Sequence, residues 1–240
     1  MIRRLARRFA NKLRATVQTA RQRPEVGRID FGDLGGTAPI SRTFGLERGL
    51  PIDRWYIEHF LAEQAADVRG RVLEVADRAY TERFGAGAVT HSDVLHVEDG
   101  HDSTIVGDLA TGSGIPLGAF DTIILTQTLQ YLYDVRAAVA VLYGALASGG
   151  VLLATAPGIS QLSRYDADRW GEFWHFTGQS FERLLAEQFG AENVDVHAHG
   201  NVKAALGLLH GLASEDLAPG DLEATDSDYE LVLTARAVRR

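Results

Sequence analysis

The chain of 240 residues contains no cysteine, which excludes disulfides, zinc-thiolate centres and a cysteine nucleophile. Its one methionine is residue 1, so no Met-rich interface is available. No stretch approaches 18 consecutive apolar residues, and no membrane-spanning helix is expected. A chain without cysteine suits a reducing cytoplasm. Acidic residues are missing from positions 1–24, which carry Arg3, Arg4, Arg7, Arg8, Lys12, Arg14, Arg21 and Arg23. The whole chain has 24 basic and 32 acidic residues. Removing those eight leaves 16 basic against 32 acidic, a balance of −16 for the remaining 216 residues. A hydrophobic content of 45% and a charged content of 23% are ordinary for a globular protein.

In the basic arm, Ile2, Leu5, Phe9, Leu13 and Val17 recur at steps of three and four, so they share one face of a helix. A basic amphipathic helix over 1–24 suits a membrane surface, an acidic protein partner, or packing against the acidic remainder. Charges interrupt it throughout, which rules out a secretory signal. The acidic remainder repels phosphate, so nucleic acid is not an expected partner.

Residues 25–50 are rich in Gly and Pro and read as a connector. Pro51 stands where a helix can begin, and Trp55, Ile57, Phe60 and Leu61 follow at helical spacing. From 71 to 157 the sequence changes character. Short apolar runs, each ending in an acid or a small polar residue, are separated by room for one helix. Strands are expected at 71–75, 88–94, 103–106, 122–126 and 151–156. A helix over 133–147 is expected to stop at Gly149-Gly150. Runs apolar on both faces are the mark of a buried parallel sheet, whose ligands bind beyond the carboxyl ends of the strands. Beyond 157, Tyr165, Trp170, Phe173, Trp174 and Phe176 lie among polar residues without periodicity. A helix over 179–189, a strand near 194–197, a helix and acidic loop within 202–227, and a last strand over 229–237 complete the expectation.

VLEV, an acid at Asp93, IVGDL, FDTIILTQTLQYLYD and SGGVLLATAPG occur in this order. Together they resemble the class I S-adenosylmethionine-dependent methyltransferases, in particular the small-molecule branch found among bacterial sugar and natural-product genes. The resemblance covers roughly 50–240. It implies a Rossmann-like α/β fold: a seven-stranded sheet, mostly parallel, with an antiparallel last strand and helices on both faces. It also implies S-adenosylmethionine as cofactor. One departure stands out. The family's Gly-rich turn after strand one, E-x-G-x-G-x-G, here carries Ala76, Arg78 and Tyr80 at the three glycine positions. Either the loop takes another path, with Gly85 and Gly87 turning the chain later, or the cofactor sits in a shifted pose, or the methyl donor has been lost.

By the resemblance, Asp93 is the ribose acid and Asp108 with Leu109 flanks adenine. Glu74, Ala76, Asp77, Thr126 and Gln127 border the methionine end. Arg48 or Arg54 pairs with the cofactor carboxylate, and Tyr56 covers the cofactor. Each has a plainer reading as a helix cap, turn acid, surface arginine or core residue. The aromatic stretch within 160–178 reads as a lid over a small-molecule acceptor, with Tyr165, Trp170 and Trp174 as packing faces. Transfer to a hydroxyl needs a base. His175 is the first candidate, with Glu172 and Gln130 next for holding a hydroxyl. His91, His96 and His101 match no metal spacing, and no metal is expected. The expected activity is methyl transfer to a hydroxyl of a sugar or secondary metabolite. Its rival is the same fold without methyl transfer, as a cyclase, an isomerase or a non-catalytic biosynthetic partner.

Overall fold

The apolar runs become seven strands in a computed structural model that describes residues 24 and 26–240, except 101 and 219. They are β1 (Gly70–Val75), β2 (Val89–His96), β3 (Ile105–Val106), β4 (Phe120–Thr126), β5 (Leu146–Pro157), β6 (Val194–His199) and β7 (Val232–Val238). One sheet holds them in the order β3-β2-β1-β4-β5-β7-β6. β1 to β5 pair in parallel, and β7 runs antiparallel to both neighbours. The expected architecture is therefore present.

Around the sheet lie α1 (Ile52–Glu63), α2 (Ala79–Phe84), α3 (Val135–Ala145), α4 (Arg164–Trp170), α5 (Gly178–Phe189) and α6 (Val202–His210). Side-chain caps start four of them, Ser163 capping α4. Asp134 accepts from Ala137 N, Asn201 from Lys203 N and Ala204 N, and Thr177 forms a capping box with Ser180. Strand alternation then divides the core. Leu73, Ile123, Leu125 and Leu152 pack on α3 and α5 through Val139, Leu142, Phe181 and Leu185. Val72, Ile124 and Leu153 pack on α1 and α6 through Ile52, Ile57, Leu61, Ala204 and Leu208.

Several boundaries differ from expectation. α3 ends at Ala145, before the glycine pair, because the chain is already extended at Leu146. Gly149 takes φ +80 within β5, where the pairing with β4 jumps from Phe120↔Leu146 to Thr122↔Val151. The pair accommodates a bulge and does not stop the helix. β2 runs on to His96, past the expected end at 94. Within the aperiodic lid segment, seven residues form α4, with Ser163 as its cap and none of its own residues buried.

The chain divides after Ala38. Of the first unit, the described residues hold one 3-10 turn, Gly32–Leu34. Residues 1–23 of the expected basic helix, and His101, lie outside the described residues. The second unit begins at Pro39, so residues 39–50 belong to it and are more than a connector. Ile40 N and Ser41 N both donate to His210 O, at 2.9 and 3.0 Å. Among the described residues, no helix is long and apolar enough to cross a membrane.

Candidate active-site cleft

Neighbour order in the sheet reverses between β1 and β4, and loops diverging from such a point leave a crevice at the carboxyl ends. A cleft of about 1020 Å³ opens there, at the upper end of the size of small-molecule sites. Two non-glycine residues with positive φ flank the reversal. Ala76, directly after β1, has φ +76, and Gln127, directly after β4, has φ +46. Such conformations cost about 1–3 kcal/mol each and persist where the surroundings enforce them. Here Ala76 N donates to Leu95 O at 3.1 Å, and Gln127 N donates to Thr155 O at 3.1 Å.

The glycine-poor turn is thereby resolved. Ala76 takes the left-handed conformation itself. Tyr80 turns inward and is 7% exposed; Arg54 Nη1 donates to its hydroxyl at 2.6 Å. Arg78 reaches away to Asp102 O, at 3.3 Å, and does not line the cleft. Of the two, only Tyr80 lines the cleft.

Glu74 anchors this turn. It is 3% exposed and accepts from Tyr80 N (3.1 Å), Thr81 N (2.8 Å) and Thr81 Oγ1 (2.7 Å), holding the first turn of α2 against β1. Burial pushes its carboxyl up, while the Thr81 and Tyr80 hydrogen bonds oppose the shift. Asp77 accepts from Ala79 N at 2.9 Å. Asp108 accepts from Ala110 N and Thr111 Oγ1, shaping its own turn beside the buried Leu109.

The expected residues fall into two groups. Arg54, Glu74, Ala76, Asp77, Asp108, Leu109, Thr126, Gln127, Gln130, Tyr165, Trp170 and Glu172 line the cleft. Asp93, Arg48, Tyr56, Trp174 and His175 do not. Asp93 was assigned to the end of β2, but the strand continues three residues further, to His96. Its buried carboxylate accepts from Arg71 Nε at 2.7 Å and Thr104 Oγ1 at 2.9 Å. Arg48 forks onto Asp216, at 3.0 and 2.7 Å. Tyr56 is a core residue, 3% exposed, with its ring 5.6 Å from that of His199; burial pushes its hydroxyl up to about 12. Trp174 Nε1 donates to Leu132 O and Tyr133 O, and its ring lies against Tyr133. His175 stands behind Glu172, its Nε2 3.2 Å from Glu172 Oε1.

Burial alone raises the Asp93 carboxyl, but Arg71 and Thr104 outweigh it and hold the group below its ordinary value of 3.8. Asp93→Ala is expected to cost about 1–2 kcal/mol of unfolding free energy, since Arg71 keeps contact with water. A folded-state value below the unfolded one gives stability that is present above about pH 4 and lost as pH falls. The gap between wild type and variant, followed by urea titration, therefore closes on acidification. A gap that widens instead contradicts the pairing.

Other cleft residues were not singled out from the sequence. Asp53, in the first turn of α1, lines the cleft with Oδ1 enclosed and unpartnered, and burial pushes its carboxyl up. Tyr131, Ser163 and Asp166 form a connected set. Ser163 Oγ donates to Asp166 Oδ2 at 2.6 Å and Tyr131 OH to the same oxygen at 3.2 Å. Ser163 N donates to Glu172 Oε2 at 2.9 Å. The spacing Ser163-x-x-Asp166, a helix-start signature, is the signal in the sequence from which this turn can be found. Among the described residues, no three His, Asp or Glu side chains gather as a metal site.

No family model and no curated protein matches the chain. Solved structures do. The N-methyltransferase NodS from Bradyrhizobium japonicum WM9, in complex with S-adenosyl-L-homocysteine, aligns over 84% of this chain and 94% of its own, with a TM-score of 0.51 and 16% identity. A methyltransferase from Mesorhizobium loti aligns over 78% of this chain and 98% of its own, at 0.50 and 15%. The [4+2]-cyclase SpnF aligns over 80% of this chain and 84% of its own, at 0.50 and 15%. By these likenesses the chain has the fold of the class I S-adenosylmethionine-dependent methyltransferases.

Proposed function

We propose that the chain transfers a methyl group from S-adenosylmethionine to a hydroxyl of a sugar or secondary metabolite. The observation that carries this reading is the cleft at the strand-order reversal. Ala76 and Gln127, both at positive φ, line it, and so does Glu172. The fit to the cofactor is good on the chain's own terms. Ala76 allows close approach, and the enclosed, unpartnered Asp53 Oδ1 is an acceptor awaiting a donor such as an ammonium. Asp77, Asp108, Leu109, Thr126 and Gln127 complete the donor side. When bound, the cofactor supplies an electrophilic methyl group on a sulfonium.

The residues of the chain then hold the acceptor in line, exclude water and receive a proton. Glu172 is the proton acceptor in this reading, because its nearly buried carboxylate lines the cleft. His175 orients it from behind and is a positioning residue. Tyr165 and Trp170 flank the acceptor. A cytoplasmic role in natural-product chemistry fits the lack of cysteine, and the acidic balance argues against nucleic acid.

Loss of the three glycines favours one rival, the same fold without methyl transfer. Titration calorimetry with S-adenosylhomocysteine tests this. Saturable one-to-one binding is expected, and no binding supports the rival.

A further inference from the structure

We infer that the acceptor carries a protonated amine, held by Asp166 beside Gln130 while a neighbouring hydroxyl faces Glu172. This inference rests on the methyl-transfer reading and names its substrate class.

The wall of the cleft built after β4 and β5 carries two carboxylates, Asp166 and Glu172. Asp166 Oδ2 is taken by Ser163 and Tyr131, and Oδ1 accepts no hydrogen bond from the described residues. Glu172, its side chain 4% exposed, stands on the same Ser163 through the backbone N–H. The independent mark of a ligand is Gln130. It is 3% exposed, lines the same cleft, and its Oε1 has no partner. Two carboxylates and a bare amide oxygen thus share a wall in which Arg164 pairs with Asp168 at 3.5 Å and His175 stands 3.2 Å from Glu172. The other cleft arginines, Arg42 and Arg54, belong to the segment before α1 and to α1 itself.

A neutral acceptor leaves the half-buried Asp166 with hydroxyl partners alone, and no cation pairs with it among the described residues. An ammonium brings three donors and a compact positive charge, the complement of Asp166 Oδ1 and Gln130 Oε1. Tyr131 remains a phenol and a donor, because burial and the adjacent Asp166 and Glu172 raise it. The opposite valence is present too. Gln161 Nε2 is enclosed without an acceptor, which suits a hydroxyl oxygen on the same ligand. While protonated, the nitrogen has no lone pair for the methyl group. It orients the acceptor, and the hydroxyl oxygen is the nucleophile: its bond to carbon forms as the carbon–sulfur bond breaks, and its proton passes to Glu172.

The test uses the full chain saturated with S-adenosylhomocysteine at about pH 6.5, where amines are charged. D-glucosamine, N-acetyl-D-glucosamine and D-glucose are compared by saturation-transfer NMR titration. Glucosamine is expected to bind at least about tenfold tighter than either neutral sugar. Asp166→Asn is expected to erase that preference while circular dichroism and S-adenosylhomocysteine affinity hold. Equal binding of the three sugars, no glucosamine binding, or a preference that survives Asp166→Asn overturns the inference and leaves methyl transfer standing. Should the variant misfold, the wild-type sugar comparison decides alone. A chain that never takes S-adenosylhomocysteine overturns the methyl-transfer reading itself, and this inference with it.

Discussion

Glu74→Ala is expected to lower the unfolding free energy by about 3–5 kcal/mol and to abolish tight S-adenosylhomocysteine binding. The carboxylate is enclosed and accepts from Tyr80 N, Thr81 N and Thr81 Oγ1. Truncation leaves three donors without their acceptor, each at a cost of about 1–3 kcal/mol. The loss spreads to function because those donors begin α2, and Tyr80 forms part of the cleft wall. The pH dependence is opposite in sign to that of Asp93. Burial raises the Glu74 carboxyl above its ordinary 4.5. A raised folded-state value gives stability that is present below about pH 4.5 and lost as pH rises through the folded value. The difference between wild type and Glu74→Ala therefore widens on acidification, where that for Asp93→Ala closes. Denaturant titrations at several pH values measure both. Parallel profiles would show that Glu74 is not buried as described.

The second large effect concerns turnover. Glu172→Gln is expected to slow methyl transfer by about 10²- to 10³-fold, the range for removal of a positioned proton acceptor. S-adenosylhomocysteine affinity should be unchanged, because Glu172 stands on the wall after β5 and not beside the loops after β1 to β3. His175→Ala is expected to cost only about tenfold, as for a group that orients another. It should also shift the pH–rate profile, since the partner of Glu172 Oε1 is gone. Single-turnover release of S-adenosylhomocysteine, with an acceptor identified by screening, reads both variants. If His175→Ala is as damaging as Glu172→Gln, the imidazole is the base and the two roles exchange.

How much of this was legible beforehand follows from how far each signal reaches along the chain. Buried parallel strands need apolar residues on both faces, so β1, β4 and β5 announce themselves locally. Topology then delivered Ala76, Thr126 and Gln127, which must sit at strand ends. β2 misled because His96 is polar yet still in the ladder, and that moved the apparent rim back to Asp93. The partner of Asp93, Arg71, lies 22 residues away on β1, and Arg48 meets Asp216 across 168 residues. No local pattern encodes such pairs. α4 was hidden because it buries nothing and so writes no apolar period. The conformation of Ala76 was out of reach as well, since alanine gives no hint of a left-handed backbone.

Ser163 links matters that usually lie apart. Its hydroxyl starts α4 and holds Asp166, and its amide holds Glu172. Everything suspended from it lies outside the sheet. A lineage could therefore exchange this short segment and change which molecules are accepted, without disturbing the scaffold that keeps the protein folded.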